Sequence, residues 1–313
     1  MGQVGVVAFG MRWLLPIFLF CGALPVRAVE VIRVTWKTSY AASPPQFNRP
    51  AADFLPMFRL ALNTLPEAAI VTLALSQPAL LGLTSAQAAT MLPLVAKRYA
   101  LIAKSPVYSV VASALPYCFV EKRPQEGLAL VHLPTGADAR TPVLVFLHGY
   151  GGSFLWYQHL LAEHFPKCII ICPAYGINTS TISSEYVEEC VQAVGVRLGR
   201  PVTKPVLLGL SAGGFGACEV FTKHLDRFER LICMAAYPPE DLLLRFPREG
   251  KAAFIAGGDE YFVKSGEFAR RIAKVRQLAP ATQEFAVPQA GHFFLLTHTT
   301  LTMANLREWL PRL

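Results

Sequence analysis

Charged side chains are scarce in this sequence. Only 16% of the residues are Asp, Glu, Lys or Arg, whereas 53% are hydrophobic. This balance is closer to that of a tightly packed or membrane-associated protein than to that of an average soluble one. The formal net charge is +8, but the basic residues form no long run and do not alternate with aromatic residues. The sequence therefore gives no support for nucleic-acid binding.

The cysteines lack the spacing of metal ligands. If Cys168 and Cys172 share a strand, about 13 Å separates them, which exceeds the ~7 Å limit for a disulfide. Most of the cysteines lie in apolar runs, as buried free thiols do. Their even number would nevertheless permit disulfides in an exported protein. The six cysteines beyond residue 28 are Cys118, Cys168, Cys172, Cys190, Cys218 and Cys233.

The N-terminus has no apolar run long enough to span a membrane. The run over residues 13–26 contains two prolines and is shorter than the roughly 20 residues that a spanning helix needs. Arg12 precedes it, and the small residue Ala28 follows it at a suitable cleavage position. We predict a signal peptide over residues 1–28 and export to the periplasm or the medium. The alternatives are a membrane anchor and a true start at Met11.

Residues 29–106 are predicted to form an apolar helical N-terminal extension. It begins irregularly and then contains helices over Glu67–Leu75 and Ser85–Ser105, the second of which is kinked or split at Pro93. The extension matches no family pattern. Three roles remain open for it, because it can pack on the main domain, cover an active site or make peripheral contact with a membrane.

From residue 107 onward, predicted strands and helices alternate, which indicates an α/β fold with a mostly parallel central sheet and helices on both faces. We predict one domain over residues 107–313. Its predicted strands are Tyr117–Val120, Leu128–His132, Pro142–Leu147, Cys168–Cys172, Val206–Leu208, Leu231–Ala236, Ala252–Ala256 and Glu284–Val287, and its predicted helices are Phe154–Phe165, Ser184–Leu198, Ser265–Leu278 and Leu301–Leu310.

Ser211 is the candidate nucleophile. It lies in G-L-S-A-G at 209–213, between the apolar run Val206–Leu208 and a predicted helix that reaches about Lys223. Strand, tight turn and helix in this order are typical of a nucleophile elbow. Glycines two residues before and after the serine suit such a turn, which has little room for a Cβ.

An activated serine also needs a base and an orienting acid. His292 follows the strand Glu284–Val287, so we predict that it lies at the sheet edge where catalytic groups of open α/β sheets gather. His224 and His298 are interpreted as surface or core residues. The acid is predicted to be Asp259, which follows Ala252–Ala256. Asp241 ranks second and Glu260 third.

The glycine-rich stretch H-G-Y-G-G at 148–152 follows another predicted strand. Glycines there allow the backbone to approach a substrate carbonyl closely. We predict that the N–H groups of Tyr150 and Ala212 form an oxyanion hole, each donor being worth about 10²–10³ in rate. His148 is interpreted as structural.

The motifs at 148–152 and 209–213, with Gly258-Asp259 and Gly291-His292, resemble the α/β-hydrolase family over about Val107–Leu313. The resemblance implies Ser211 as nucleophile, His292 as base and Asp259 as acid, in the family's chain order. The stretch Gly209–Ala217 looks most like secreted esterases of the esterase D, polyhydroxyalkanoate depolymerase and feruloyl esterase kind.

These observations predict an exported serine hydrolase that cleaves small or polymeric carboxylic esters through an acyl-enzyme. Neither a metal nor an organic cofactor is needed for this chemistry. The first alternative is a serine peptidase of the prolyl-oligopeptidase type, although residues 29–106 cannot supply that family's large propeller. The second is a catalytically silent hydrolase-like protein that binds a ligand. Four aromatic residues are candidates for lining the pocket: Phe154, Trp156, Phe215 and Tyr237.

Overall fold

The structure is a computed structural model of the chain. It describes residues 28–39, 56, 60–81, 83–119, 125–149, 152, 154–175, 182–224 and 226–310. The predicted signal peptide over residues 1–28 lies outside the described residues except for Ala28. The structure therefore does not test export.

Within the described part of the chain, eight strands form one sheet. Their bounds are β1 Glu30–Lys37, β2 Glu126–Leu133, β3 Val143–Leu147, β4 Ile169–Ala174, β5 Val206–Leu210, β6 Arg230–Met234, β7 Ala252–Gly257 and β8 Gln283–Val287. They lie in the order β1-β2-β4-β3-β5-β6-β7-β8. The pairs β1–β2 and β2–β4 are antiparallel, and every other pair is parallel. The predicted mostly parallel sheet is confirmed.

Helices cover both faces of this sheet. They are α1 Glu67–Leu75, α2 Ser85–Lys104, α3 Leu115–Phe119, α4 Phe154–His164, α5 Ser184–Leu198, α6 Ala212–Lys223, α7 Tyr261–Lys264, α8 Glu267–Leu278, α9 Phe294–Thr297 and α10 Thr299–Trp309, with 3₁₀ turns at Pro78–Leu81 and Glu240–Arg245.

Alternate strand residues point to opposite faces and divide the core in two. On β3, Leu144 and Phe146 pack with α1, α2, α4 and α10, whereas Val143 and Val145 pack with α5, α6 and α8.

Two sequence-based predictions near the N-terminus are wrong. Residues 30–37 form β1 rather than an irregular lead-in, and each of them pairs with a residue of β2. Residues 115–119 form the helix α3 where a strand was predicted. Because β1 completes one edge of the sheet, the boundary predicted at residue 107 does not separate the sheet from the preceding segment, and residues 29–106 are not solely helical.

The helices of the N-terminal segment pack on the main domain. Arg98 of α2 forms an ion pair with Glu163 of α4, and its Nη1 lies 3.1 Å from Nδ1 of His159. The Arg98 guanidinium also lies over the Trp156 ring, 5.8 Å from its centroid. Pro93 lies inside α2, which continues as one helix through it. Of the three roles left open for this segment, packing on the main domain is therefore observed.

Among the residues that the structure describes, no helix is both long and apolar enough to cross a membrane. All six cysteines beyond residue 28 are buried free thiols. Cys218 of α6 and Cys233 of β6 come closest, with Sγ atoms 3.4 Å apart. Within the same described residues, no group of three or more His, Cys, Asp or Glu is arranged to hold a metal ion.

Two buried histidines make the stability of this fold sensitive to acid. Burial lowers the pKa of His132 in β2 and of His148 after β3 to about 4. An unfolded histidine has a pKa of about 6.5, so between these values the unfolded chain binds more protons. The free energy of unfolding is therefore fully retained above about pH 6.5 and decreases as the pH falls toward 4, by up to about 3 kcal/mol for each histidine.

We expect urea denaturation at pH 7.5, 6 and 5 to show this loss, and the variant His132→Gln to lose a large part of the pH dependence. The wild-type protein, measured under the same conditions, provides the control. An unchanged slope in His132→Gln would contradict the assignment of the buried neutral histidine.

Candidate active site

Ser211 lies in a sharp turn between β5 and α6. Its backbone has φ 53° and ψ −118°, a conformation that a residue with a Cβ rarely adopts and that costs about 1–3 kcal/mol. Two sets of backbone hydrogen bonds hold the turn. The Ser211 N–H donates to the Met234 carbonyl of β6 at 2.8 Å, and the Ser211 carbonyl accepts from the N–H of Gly214 at 2.8 Å.

The glycines on either side of Ser211 are required by close backbone contacts. A Cβ on Gly209 would lie 2.3 Å from the Gly213 carbonyl oxygen, and a Cβ on Gly213 would lie 2.2 Å from the carbonyl oxygen of Leu147 in β3. Neither contact can be relieved by rotating a side chain. The G-x-S-x-G spacing is therefore a steric condition for the turn.

His292 lies in the loop after β8 and faces the serine. Its Nε2 is 2.9 Å from Ser211 Oγ, which is within the range of a base and its nucleophile. The loop is fastened to the one after β7, because the N–H groups of Gly258 and Asp259 donate to the carbonyls of Val287 and Ala290, both at 2.8 Å.

The carboxylate beside His292 belongs to Glu260. Its Oε2 lies 2.7 Å from His292 Nδ1, and its Oε1 accepts the N–H of Gly257 at 2.9 Å. The Glu260 side chain is 4% exposed, whereas the His292 side chain is 42% exposed. The carboxylate is thus held by its neighbours and shielded from water, while the imidazole is open to a substrate.

The prediction of Asp259 as the orienting acid is not supported, because Asp259 points away from His292. Its side chain is half exposed and lies 3.0 Å from Lys264 Nζ. The physical reason is the turn after β7, where the Asp259 N–H donates to Ala290 and the Glu260 N–H donates back to Gly257. That turn directs the next residue, Glu260, inward. Asp241, ranked second from the sequence, is exposed in the 3₁₀ turn Glu240–Arg245.

The other histidines near the motifs have separate partners. His224 Nδ1 lies 3.3 Å from Glu188, and His298 Nδ1 lies 2.8 Å from the Thr297 hydroxyl. His148 is buried and stacks on the Tyr175 ring with centroids 4.0 Å apart. Burial lowers the pKa of His148 to about 4, so its ring is neutral at pH 7, as expected of a structural residue.

One of the two predicted oxyanion donors is described. Ala212 is the first residue of α6, so its N–H has no acceptor inside the helix and lies where the helix dipole favours an anion. Tyr150 lies outside the described residues. Its neighbour Gly149 is close to the nucleophile, because a Cβ on Gly149 would lie 3.4 Å from Ser211 Cβ.

The four aromatic candidates for the pocket divide into two pairs. Phe154 and Trp156 are almost completely buried in the core. Phe215 and Tyr237 are half-buried, and their rings meet edge to face with centroids 5.2 Å apart. Of these two pairs, only Phe215 and Tyr237 are therefore available to line a surface beside Ser211.

Two surface cavities, of about 290 and 510 Å³, lie near the starts of β4 and β5. This is the edge of the sheet opposite to the one that carries Ser211.

The arrangement has the order that nucleophilic catalysis requires. A hydroxyl, an imidazole and a buried carboxylate form one chain of hydrogen bonds, and they lie at the carboxyl ends of the parallel strands β5, β8 and β7. Such a chain can remove the hydroxyl proton as the oxygen attacks, and can stabilise the resulting imidazolium.

A family model described as the alpha/beta hydrolase fold matches residues 142–255. This match covers β3 through most of β7, including Ser211, and it agrees with the strand order of the sheet. The chain therefore has the α/β-hydrolase fold, and the family model covers about a third of it. No curated protein matches the chain.

Several solved structures resemble the chain. A CIB-like hydrolase from Thermoplasma acidophilum is 16% identical, with 58% of this chain and 93% of that protein aligned and a TM-score of 0.45. An esterase of Pyrococcus furiosus is 12% identical over 60% and 87% of the two chains, with a TM-score of 0.49. A ferulic acid esterase is 18% identical over 57% and 90%, with a TM-score of 0.44.

The adjacent carboxylates provide a matched test of the site. We expect Glu260→Gln to lower kcat by about 10³–10⁴, because an amide at this position favours the wrong histidine tautomer. Asp259→Asn should stay within about twofold of wild type, since exposed ion pairs such as Asp259–Lys264 contribute little. Both variants are measured by steady-state kinetics at pH 7.5 on any ester that the wild type cleaves. A larger loss of kcat in Asp259→Asn than in Glu260→Gln would contradict this expectation and favour Asp259, the residue predicted from the sequence, as the acid.

Proposed function

We propose that this protein is a serine hydrolase that cleaves carboxylic esters, with Ser211 as nucleophile, His292 as base and Glu260 as the orienting acid. The observation that carries the proposal is the continuous hydrogen-bonded chain from Ser211 Oγ through both ring nitrogens of His292 to Glu260. The strained backbone of Ser211 also supports it, because such strain is characteristic of catalytic serines at strand-to-helix turns.

The proposed reaction has two halves. His292 Nε2 takes the proton of Ser211 as Oγ attacks the ester carbonyl, and the oxyanion that forms is stabilised by the Ala212 N–H. The protonated imidazole then gives its proton to the departing alkoxide, which leaves an acyl group on Ser211. In the second half, His292 activates a water molecule, which releases the acid and restores the serine. Glu260 accepts the hydrogen bond from Nδ1 throughout and stabilises the imidazolium.

Because His292 is half exposed, the neighbouring Ser211 hydroxyl lies close to solvent. The aromatic pair Phe215 and Tyr237 offers an apolar surface on the α6 side of the serine. These features suit an acyl or alcohol group that remains partly exposed. The choice of an ester as substrate rests on the resemblance of the elbow sequence to secreted esterases.

We expect the mature chain to hydrolyse p-nitrophenyl esters and Ser211→Ala to lose at least about 10³ of kcat while remaining folded. Circular dichroism and thermal unfolding of both proteins supply the folding control. A series from acetate to palmitate gives the acyl preference. Equal rates in the two proteins, or none in a folded wild type, would contradict the esterase proposal and favour a peptidase or a silent ligand-binding protein.

We also propose that the N-terminal segment contacts anionic membranes peripherally. Residues 68–96 contain no charged side chain, although Leu73 and Leu94 in this segment are 49% and 37% exposed, and Leu101 just after it is 41% exposed. On α2, the exposed Lys97 and Lys104 lie on the same face as Leu94 and Leu101, at helical spacing. A face of this composition combines apolar contact with attraction to negative headgroups.

This contact predicts binding to phosphatidylcholine vesicles that contain phosphatidylglycerol, and weaker binding to phosphatidylcholine alone or at 0.5 M salt. Reversing both lysines, with Lys97→Glu and Lys104→Glu, should weaken co-sedimentation about tenfold or more. The exposed pair Lys167→Glu and Lys251→Glu changes the net charge equally and should have a smaller effect. If the two double variants bind equally, the attraction is due to net charge and not to this face.

A further inference from the structure

One buried carboxylate outside the proposed catalytic chain connects the N-terminal segment to the loop beside the nucleophile. Glu67, the first residue of α1, is 3% exposed. Its Oε1 accepts the N–H of Leu155 at 3.0 Å and lies 3.4 Å from the N–H of Trp156. Oε1 also accepts a hydrogen bond from the hydroxyl of Tyr99 in α2 at 2.9 Å, and Oε2 accepts one from the hydroxyl of Ser113. A buried charge is tolerated only when it is paired in this way.

The backbone donors that Glu67 binds belong to the first turn of α4. Leu155 and Trp156 are its second and third residues, so their N–H groups have no acceptor within the helix. A carboxylate at this end is also favoured by the helix dipole. The first turn of α4 is thus bonded by a carboxylate from a distant part of the chain.

The first turn of α4 directly follows the glycine-rich loop at 148–152. In that loop the N–H of Gly152 donates to the Gly149 carbonyl at 3.2 Å, and Gly149 lies against Ser211 and the Leu210 carbonyl. A displacement of the start of α4 therefore moves the backbone beside the nucleophile. Because groups beside a nucleophile act only within a few tenths of an ångström of their proper place, the alignment of the backbone at Gly149 and Gly152 with Ser211 depends on the position of this helix end.

We infer that Glu67 is a positioning residue for the loop at 148–152, and that through it the N-terminal segment sets the rate of the hydrolase. The catalytic consequence of this inference rests on the proposed function. Its structural part, which is that Glu67 holds the loop in place, can be measured without any substrate. Glu67 does not touch the reacting atoms and acts through α4.

The catalytic test compares Glu67→Gln with wild type, using kcat per active site titrated by an irreversible phosphonate. We expect kcat to fall by about tenfold or more with little change in KM, because alignment of the oxyanion donors acts on the transition state and not on ground-state binding. Inhibition by an aryl boronic acid, which mimics the tetrahedral state, should weaken by a similar factor. A role in stability alone would lower the titrated fraction and leave kcat per site unchanged.

Glu163→Gln is the matched control, since it removes the ion pair of Arg98 at the other end of the same interface between α2 and α4. It should leave kcat per site and boronate inhibition close to wild type. Tyr99→Phe removes one hydrogen bond to Glu67 without leaving an unpaired charge, so it should give a smaller loss in the same direction. This variant keeps the test decisive if Glu67→Gln fails to fold.

Amide hydrogen exchange measured by mass spectrometry tests the structural part directly. Peptides covering residues 148–156 should exchange at least about fivefold faster in Glu67→Gln and Tyr99→Phe, but not in Glu163→Gln. Unchanged exchange in this region would overturn the inference even if esters are cleaved. Faster exchange in a protein with no ester turnover would support the positioning of the loop and contradict the proposed esterase instead.

Discussion

The site depends on the contact between the turn at Ser211 and the end of β3. Gly213 lies so close to the Leu147 carbonyl that no side chain fits between them, and this contact fixes where α6 begins. The start of α6 determines the direction of the Ala212 N–H, and the turn before it determines the direction of the Ser211 hydroxyl. The directions of the Ser211 hydroxyl and of the Ala212 N–H are therefore set by one backbone packing.

The positions of His292 and Glu260 depend on a second backbone contact, between the loops after β7 and β8. A Cβ on Gly257 would lie 2.4 Å from the carbonyls of both Ala290 and Gly291, so this glycine allows the two loops to touch. The same loops exchange the hydrogen bonds that turn Glu260 inward and leave Asp259 at the surface. Because Glu260 also caps the Gly257 N–H, the acid is held by the strand end from which it emerges.

This contact explains what the sequence could and could not predict. Some signals are local, namely the apolar runs of β3, β5, β6 and β7 and the G-x-S-x-G spacing. These signals predict the sheet and the position of Ser211, although they do not predict the order of the strands. The location of His292 at the sheet edge can be predicted in the same way, because this residue comes after a strand. The choice between Asp259 and Glu260 cannot be predicted from the sequence, because the two carboxylates are adjacent. Only the turn, which is set by contacts with residues 287–291, determines which of them points inward. Glu260 therefore ranks only third as the acid from the sequence, although its carboxylate lies beside His292 in the structure.

The errors in the N-terminal part have a different physical origin. The strand β1 has few buried residues of its own, and only Val34 lies deep in the core, so its alternation is weak and its pairing with β2 is decided by the rest of the sheet. The helix α3 occupies an apolar stretch of only five residues, where a short strand and a short helix cannot be told apart from periodicity. Both elements are stabilised by tertiary contacts more than by local preference.

The N-terminal helices are consequently an integral part of the fold. The helix α2 contacts α4, which follows the loop at 148–152, and it also contacts α9, which follows His292. Its own start is fixed by a capping box between Thr84 and Gln87. A single helix thus contacts both the element that follows the glycine-rich stretch and the element that follows His292. The packing of α2 rests on several buried side chains, among them Met91, Val95 and Ile102, so it does not depend on the single ion pair between Arg98 and Glu163.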